Sequence, residues 1–395
     1  MTLPSDTLPA EFTVPAYGSA TLADVLPSVA TALGVPVQRG DLPGDPLRLT
    51  EALDGARRVV VLLVDGLGAE LVAAHPDTAP VLNALGTPAG VLSAPCPSTT
   101  PVSLTTLGTG LPPGSHGVLG FVTEVPGTGR TLNHVQWKDD PDPRQWQSRP
   151  TVFEQATAAG VRCTAVGPHS FAGSGLTRAA YRGADYTPAY SPGDLVALVH
   201  GALAAGEPSL VYAYTAELDL TGHVRGIDSP SWRAQLAVVD GVVEQLAAGL
   251  PDDAVLLVTA DHGMVDVPGD TRLDVTEEPA LTDGIRLLTG EPRARYVHTE
   301  PGATDDVLAT WREVLGERAW VAGREEAAAA GVFGPVDPAV VERIGDVVVL
   351  ARGTWAFPAG ATEPPHAALL AAYHGSLTSA ELAIPLLAAR GRALR

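Results

Sequence analysis

Apolar residues in this chain come in two kinds of stretch, short continuous runs and longer segments with helical spacing. The clearest run is Val59–Val64, which stops abruptly at Asp65 and is followed by Gly66 and Gly68. A run of branched aliphatics bounded by charge and a turn predicts a strand buried on both faces. VRCTAVGP (161–168), SLVYAY (209–214) and AVLLVT (254–259) repeat the pattern. Between them TVFEQATAAG, DLVALVHGALAAG and SWRAQLAVVDGVVEQLAAGL carry helical spacing. Strands alternating with helices predict an α/β fold with a doubly wound, mainly parallel central sheet.

The pattern changes character between 268 and 360, where RARYVHTE, DDVLATWREVLG, RAWVAG, REEAAAAGVFG and DVVVLA suggest a small β-α-β-α-β unit. An inserted α+β subdomain is expected there, with 1–267 and 361–395 forming the core. Residues 1–57, rich in Pro, Asp and Gly, read as an arm carrying one helix, Leu22 to Leu33, ended by Gly34. FVTEVPGTGRTLN alternates like a hairpin. Trp137 and Trp146 follow it, and their rings suit either packing or stacking on a base or aryl group.

Composition narrows the partners. The chain of 395 residues has 45 acidic and 25 basic side chains, a formal charge of −20, and Lys138 is its single lysine. Long nucleic acids and anionic membranes need clustered cations, so neither is expected. A small anionic substrate remains compatible if metal ions supply positive field locally. Two cysteines, Cys96 and Cys163, allow one disulfide but no thiolate zinc site. No signal-peptide pattern opens the sequence and no apolar run has membrane-spanning length, so a cytoplasmic protein is expected. The oligomeric state leaves no trace in the sequence.

The candidate chemistry sits at strand ends. In open α/β sheets ligand crevices form beyond the carboxyl ends of the strands. Asp65 ends one strand, Asp219 and His223 lie in ELDLTGH after another, Asp261 and His262 in TADHG after a third, and His374 in YHGS near the end of the chain. Each cluster alone has an ordinary use as a cap or turn. Together they offer three carboxylates and three imidazoles, enough for two divalent ions. Oxygen and nitrogen donors without thiolate suit catalytic zinc, with manganese as the alternative. In PCPSTTPVSLTTLGTG, Thr100 is expected at a helix N-cap with Pro101 as the first helical residue. That places its hydroxyl where helix N–H groups favour an anion.

In order along the chain, VDGLG, the Thr turn ending in TG, D-x-x-G-H, ADHGM and HGS resemble the alkaline phosphatase superfamily, and within it the type I phosphodiesterase/nucleotide pyrophosphatases. The resemblance spans Val59 to Pro385 and includes a small insert between DHG and the last HG. It implies one metal on Asp219, His223 and His374, another on Asp65, Asp261 and His262, and Thr100 as a nucleophile bridging toward both. Counting back from Thr109-Gly110 selects Thr100 over Thr99. The family's Asn three positions after the nucleophile, a phosphoryl ligand, is here Ser103, which becomes the expected substrate contact. Backbone N–H groups near Val102 and Ser103 are expected to assist. The implied activity is metal-dependent hydrolysis of phosphodiester or pyrophosphate bonds in small nucleotide-like substrates through a phosphothreonine. The alternatives are a phosphomonoesterase or phosphonate hydrolase of the same superfamily, a phosphomutase, and a non-catalytic metal-binding protein.

Overall fold

A computed structural model describes residues 8–364 and 369–391. The apolar run that opens the pattern forms β1 (Arg58–Val64), buried over six of its seven positions. β2 (Val91–Ser93) follows, then the hairpin β3 (Val122–Val125) and β4 (Arg130–Asn133). β5 (Arg162–Pro168), β6 (Asp185–Ala189), β7 (Ser209–Thr215) and β8 (Ala254–Thr259) alternate with helices. Two-residue β9 (Val265–Asp266) leads to β10 (Ile285–Glu291), β11 (Ala294–Thr299), β12 (Ala319–Gly323) and β13 (Val347–Ala351). β14 (Ala372–Tyr373) and β15 (Ala383–Arg390) close the order.

The central sheet runs β2-β15-β8-β1-β7-β5-β6. β1 pairs in parallel register with both β7 and β8, so the ends of these three strands open on one edge. β15 alone runs antiparallel, between β2 and β8. The doubly wound, mainly parallel sheet is therefore as the alternation predicts. β6, an edge strand containing Pro188, escapes the sequence reading because proline and polar residues interrupt its apolar pattern.

The second sheet, β10-β11-β13-β12, is antiparallel throughout. Its own apolar cluster includes Val297, Trp311, Val321, Val347 and Phe357. β10 is an addition to the β-α-β-α-β unit read from the pattern. The sheet is tied back to the core by Tyr296, whose hydroxyl donates to Leu119 O at 2.6 Å, and by a buried Arg293–Glu381 pair.

The structure decides three local points. Residues after β7 form a helix, Glu217–Arg225, that the apolar pattern does not announce. Leu220 and Val224 point outward at 61% and 52% exposure, so the segment lacks the buried stripe that signals a helix. Cys96 and Cys163 are both buried and free, so there is no disulfide between them. Trp137 and Trp146 pack with Val102, Val118 and Leu132 rather than facing a crevice. Among the described residues no helix is long and apolar enough to cross a membrane.

Candidate metal centre

Asp65 leaves the end of β1 into a tight turn. Gly66 adopts φ +74°, and a Cβ there would meet the Asp219 backbone at 3.1 Å, so glycine is what lets the two acidic segments approach. Asp261 follows β8, and its Oδ1 accepts from Gly66 N (3.1 Å) and His262 N (3.0 Å). Asp219 and His223 lie one turn apart on the helix after β7, with Asp219 Oδ2 3.4 Å from His223 Nε2. His374 arrives differently. It follows β14, outside the main sheet, and is stitched to the Thr turn, since Ser98 N donates to Gly375 O (3.1 Å) and Gly375 N to Ser98 Oγ (3.1 Å).

The three imidazoles share one orientation. Nδ1 of His223 donates to Ala372 O (2.7 Å), that of His374 to Ser98 O (2.8 Å) and that of His262 to Gly263 O (3.0 Å). A carbonyl can only accept, so each Nδ1 carries the proton and each Nε2 presents a lone pair inward. His262 Nε2 lies 3.4 Å from Asp65 Oδ1 and 3.4 Å from Asp261 Oδ2. His374 Nε2 lies 3.2 Å from His223 Nε2 and 3.8 Å from Asp219 Oδ1. Donor atoms of Asp65, Asp261 and His262, and likewise of Asp219, His262 and His374, come within 4.8 Å of one another.

This geometry fits divalent cations on the chemistry of its donors. Asp65 Oδ1, Asp219 Oδ1 and Asp261 Oδ2 are buried and accept no hydrogen bond. Two imidazole lone pairs facing each other at 3.2 Å repel unless a cation or proton lies between them. Burial, reinforced by the Asp261 and Asp219 charges, pushes the Asp65 carboxyl well above the usual carboxylate range. Burial pushes Asp219 up as well. His374 is held well below the ordinary imidazole range, chiefly by burial and then by His262 and His223. Buried charges without compensation are costly, and a cation coordinated by these atoms removes that cost.

Thr100 Oγ1 stands 3.4 Å from Asp65 Oδ2 and 3.4 Å from His262 Nε2, beside the first of these groups. The helix Thr100–Thr109 is capped by Thr99, so Thr100 is its first residue and Pro101 its second, one position later than expected. Ser103 also departs from expectation. It is fully buried, its N–H donates to Thr99 O (2.9 Å) and its hydroxyl to Asp261 O (2.8 Å). Ser103 therefore braces the Asp261 segment instead of facing a substrate. Of the sequence candidates, the seven metal and nucleophile residues converge and Ser103 does not.

Sequence reasoning passed over Tyr214, near the end of β7, whose hydroxyl donates to Asp65 Oδ2. A polar-tipped aromatic just before a strand end was the available signal. The centre opens into a cleft of about 550 Å³ walled by Leu104, Phe121, Phe171, Leu176, Tyr214 and Leu220. Among the described residues no lysine or arginine lines it; Glu291 and Glu363 do.

The sequence model of the type I phosphodiesterase/nucleotide pyrophosphatase family matches residues 59–377. Two relatives align over shorter stretches. The catalytic subunit of human GPI ethanolamine phosphate transferase 3 is 29% identical over 135 residues, 32% of this chain and 12% of that protein. A pyrophosphatase/phosphodiesterase of Schizosaccharomyces pombe is 27% identical over 184 residues, 42% of this chain and 36% of that one. The chain thus spans well under half of each relative's length. Among solved structures, murine ectonucleotide pyrophosphatase/phosphodiesterase 5 superposes with a TM-score of 0.68 at 20% identity, covering 84% of this chain and 88% of that one. An inactive form of that mouse protein in complex with AMP gives 0.67 at 19% identity, covering 85% and 88%. Phosphonoacetate hydrolase from Sinorhizobium meliloti gives 0.63 at 19% identity, covering 84% and 89%. These likenesses establish a shared fold.

Proposed function

We propose that this chain, which belongs to the type I phosphodiesterase/nucleotide pyrophosphatase family, is a metal-dependent hydrolase of phosphodiester or pyrophosphate bonds in small nucleotide-like substrates. The observation that carries the reading is the Thr100 hydroxyl, held against Asp65 and His262 at the floor of an apolar cleft without a cationic side chain. A diester carries one negative charge and a monoester nearly two. The second charge calls for a further cation that the cleft wall does not offer, and the carboxylate of a phosphonoacetate-like substrate would face Glu291 and Glu363. The AMP complex of the mouse relative supports a nucleotide-sized substrate.

Asp65, Asp261 and His262 would hold one ion, and Asp219, His223 and His374 the other. When bound, two divalent ions, zinc or manganese, supply Lewis acidity that lowers the Thr100 hydroxyl pKa and offsets charge on the phosphoryl oxygens. Thr100 Oγ1 attacks phosphorus in line, forming the Thr100–phosphorus ester as the bond to the leaving oxygen breaks and that oxygen takes up a proton. Water then cleaves the phosphothreonine and returns the proton to Thr100 Oγ1. Tyr214 keeps Asp65 Oδ2 engaged, so that Oδ1 stays turned toward His262.

The test compares bis(p-nitrophenyl) phosphate with p-nitrophenyl phosphate, with added zinc and with EDTA. A chelator-sensitive diester preference is expected. Thr100→Ala should keep its metal content and lose on the order of 10³-fold or more in turnover. A Thr100→Ala protein as active as wild type refutes the nucleophile, and a monoester preference moves the chain to the phosphatase alternative.

A further inference from the structure

The β3–β4 hairpin forms part of the cleft wall, yet it belongs to neither large sheet. Strand pairing sets Val122 opposite Asn133, Thr123 opposite Leu132 and Glu124 opposite Thr131. Side chains alternate along a strand, so Val122, Glu124 and Asn133 share one face of the hairpin. Leu132 turns to the other face and packs with Trp137 and Trp146. Val122 and Asn133 line the same cleft as Thr100, His223 and His374. Glu124 stands on that face two residues along the strand. A lone two-stranded hairpin is marginal in water, so its position is set by what it packs on.

On the Glu124 side it packs on the second sheet. Glu124 is buried, and Arg286 of β10 grips it with both ends of its fork, Nη1 donating to Oε1 at 2.6 Å and Nη2 to Oε2 at 2.9 Å. His298 of β11 brings Nδ1 to 3.1 Å from Oε2, and its Nε2 bonds Thr289 Oγ1 of β10 at 3.1 Å. The guanidinium holds the Glu124 carboxyl below the usual carboxylate range, so the pair is ionic. Bidentate charged bonds fix direction as well as distance. The strand that carries Arg286 also ends in Gly290 and Glu291, which line the cleft with Pro292. One strand of the second sheet therefore holds the hairpin wall and supplies a further part of the wall itself.

We propose that the second sheet sets the width of the catalytic cleft, with Glu124 as the positioning residue. Held by Arg286 and His298, it keeps Val122 and Asn133 where they touch an ester group of the bound diester. This rests on the phosphodiesterase reading and extends it to the part of the chain that holds neither metal donors nor nucleophile. Orthophosphate carries no ester group and reaches the metal centre without using this wall.

The test uses the metal-loaded full chain. Glu124→Ala should raise KM for bis(p-nitrophenyl) phosphate about tenfold or more while kcat stays within about threefold of wild type. The competitive inhibition constant of orthophosphate should stay within about twofold, because only the ester group has lost its wall. Arg286→Ala loosens the same grip from a partly exposed side chain and covers the case in which Glu124→Ala does not fold. The two changes together should be no worse than either alone, since both break one contact. Glu124→Gln still accepts from Arg286 and should recover most of the affinity. A merely structural role would weaken orthophosphate and diester alike. An unchanged KM in the alanine variants, or an orthophosphate constant that rises in step with KM, overturns the positioning role and leaves the functional reading standing. A wild-type protein inactive on every phosphate ester overturns that reading and the positioning role with it.

Discussion

Glu381 and Arg293 form a fully buried pair whose removal should be felt at the metal centre. Arg293 Nε donates to Glu381 Oε1 at 2.6 Å and Nη2 to Oε2 at 2.8 Å, both side chains being 0% exposed. Oε1 also accepts from Ser376 N (2.9 Å) and Oε2 from Thr378 Oγ1 (2.5 Å). The Glu381 carbonyl accepts from Gly263 N at 2.8 Å, so this one residue links the His374 turn to the His262 turn. Glu381→Ala leaves a buried guanidinium without its counter-charge and two further donors, Ser376 N and Thr378 Oγ1, without their acceptor. The expected loss is about 3–5 kcal/mol, a large part of the roughly 5–15 kcal/mol that holds a typical protein folded. Glu381→Gln should cost less, about 1–3 kcal/mol, because Thr378 can rotate to accept from the new amide while Arg293 keeps its bond to the remaining side-chain oxygen and to the Gly353 and Trp355 carbonyls. Glu381→Leu combined with Arg293→Met removes both charges and should regain most of the stability lost by either change alone. Urea unfolding of the metal-loaded proteins, alongside diester hydrolysis, reads both effects. The double variant should be stable yet less active, since Ser376 N and Thr378 Oγ1 no longer fix the turn after His374. Glu381→Ala within about 1 kcal/mol of wild type, or strictly additive single changes, would refute the reasoning.

Two further expectations follow from buried polar groups. His116 accepts from Val118 N (3.2 Å) and bonds Thr106 Oγ1 (2.9 Å), while His134 bonds Phe121 O (3.3 Å) and accepts from Trp146 Nε1 (3.1 Å). Burial above all lowers each to about 3 from an ordinary 6.5. The unfolded chain binds the extra protons between those values, so this stability is complete above pH 6.5 and drains as pH falls. At pH 5 each histidine should cost about 2 kcal/mol, and a urea midpoint unchanged between pH 7 and 5 would contradict it. Tyr214→Phe frees Asp65 Oδ2 and should weaken zinc affinity about 10- to 100-fold in competition titrations against a chelator; an unchanged affinity would make the hydroxyl irrelevant to the ligand.

The sheet was legible because its signal is local. Val59–Val64, Ser209–Tyr214 and Ala254–Thr259 are continuous apolar runs, and only a strand buried on both faces uses such runs. Asp65, Asp219, Asp261 and His262 were legible for the same reason, each standing just past a run the eye can find. His374 was legible as a candidate by residue type, but no strand run announced it, because β14 is two residues long and belongs to another sheet. The helix after β7 was missed because Leu220 and Val224 face outward and Asp219 and His223 face the centre, so no residue pattern marks a buried face. Ser103 was misplaced because a short polar side chain near a nucleophile can point either way, and it found Asp261 O inside the protein.

Chain order and residue type were thus enough to determine the α/β architecture and to nominate a candidate donor set, since burial period and ligand chemistry are properties of single segments. Which Nε2 atoms face inward, how Glu381 ties two turns together and why the tryptophans are packed away were decided by tertiary structure alone. Each depends on a partner far away in sequence, 276 residues for His374 and Ser98, 88 for Arg293 and Glu381. A hydrogen bond across that separation exists only once the sheet has brought its ends together.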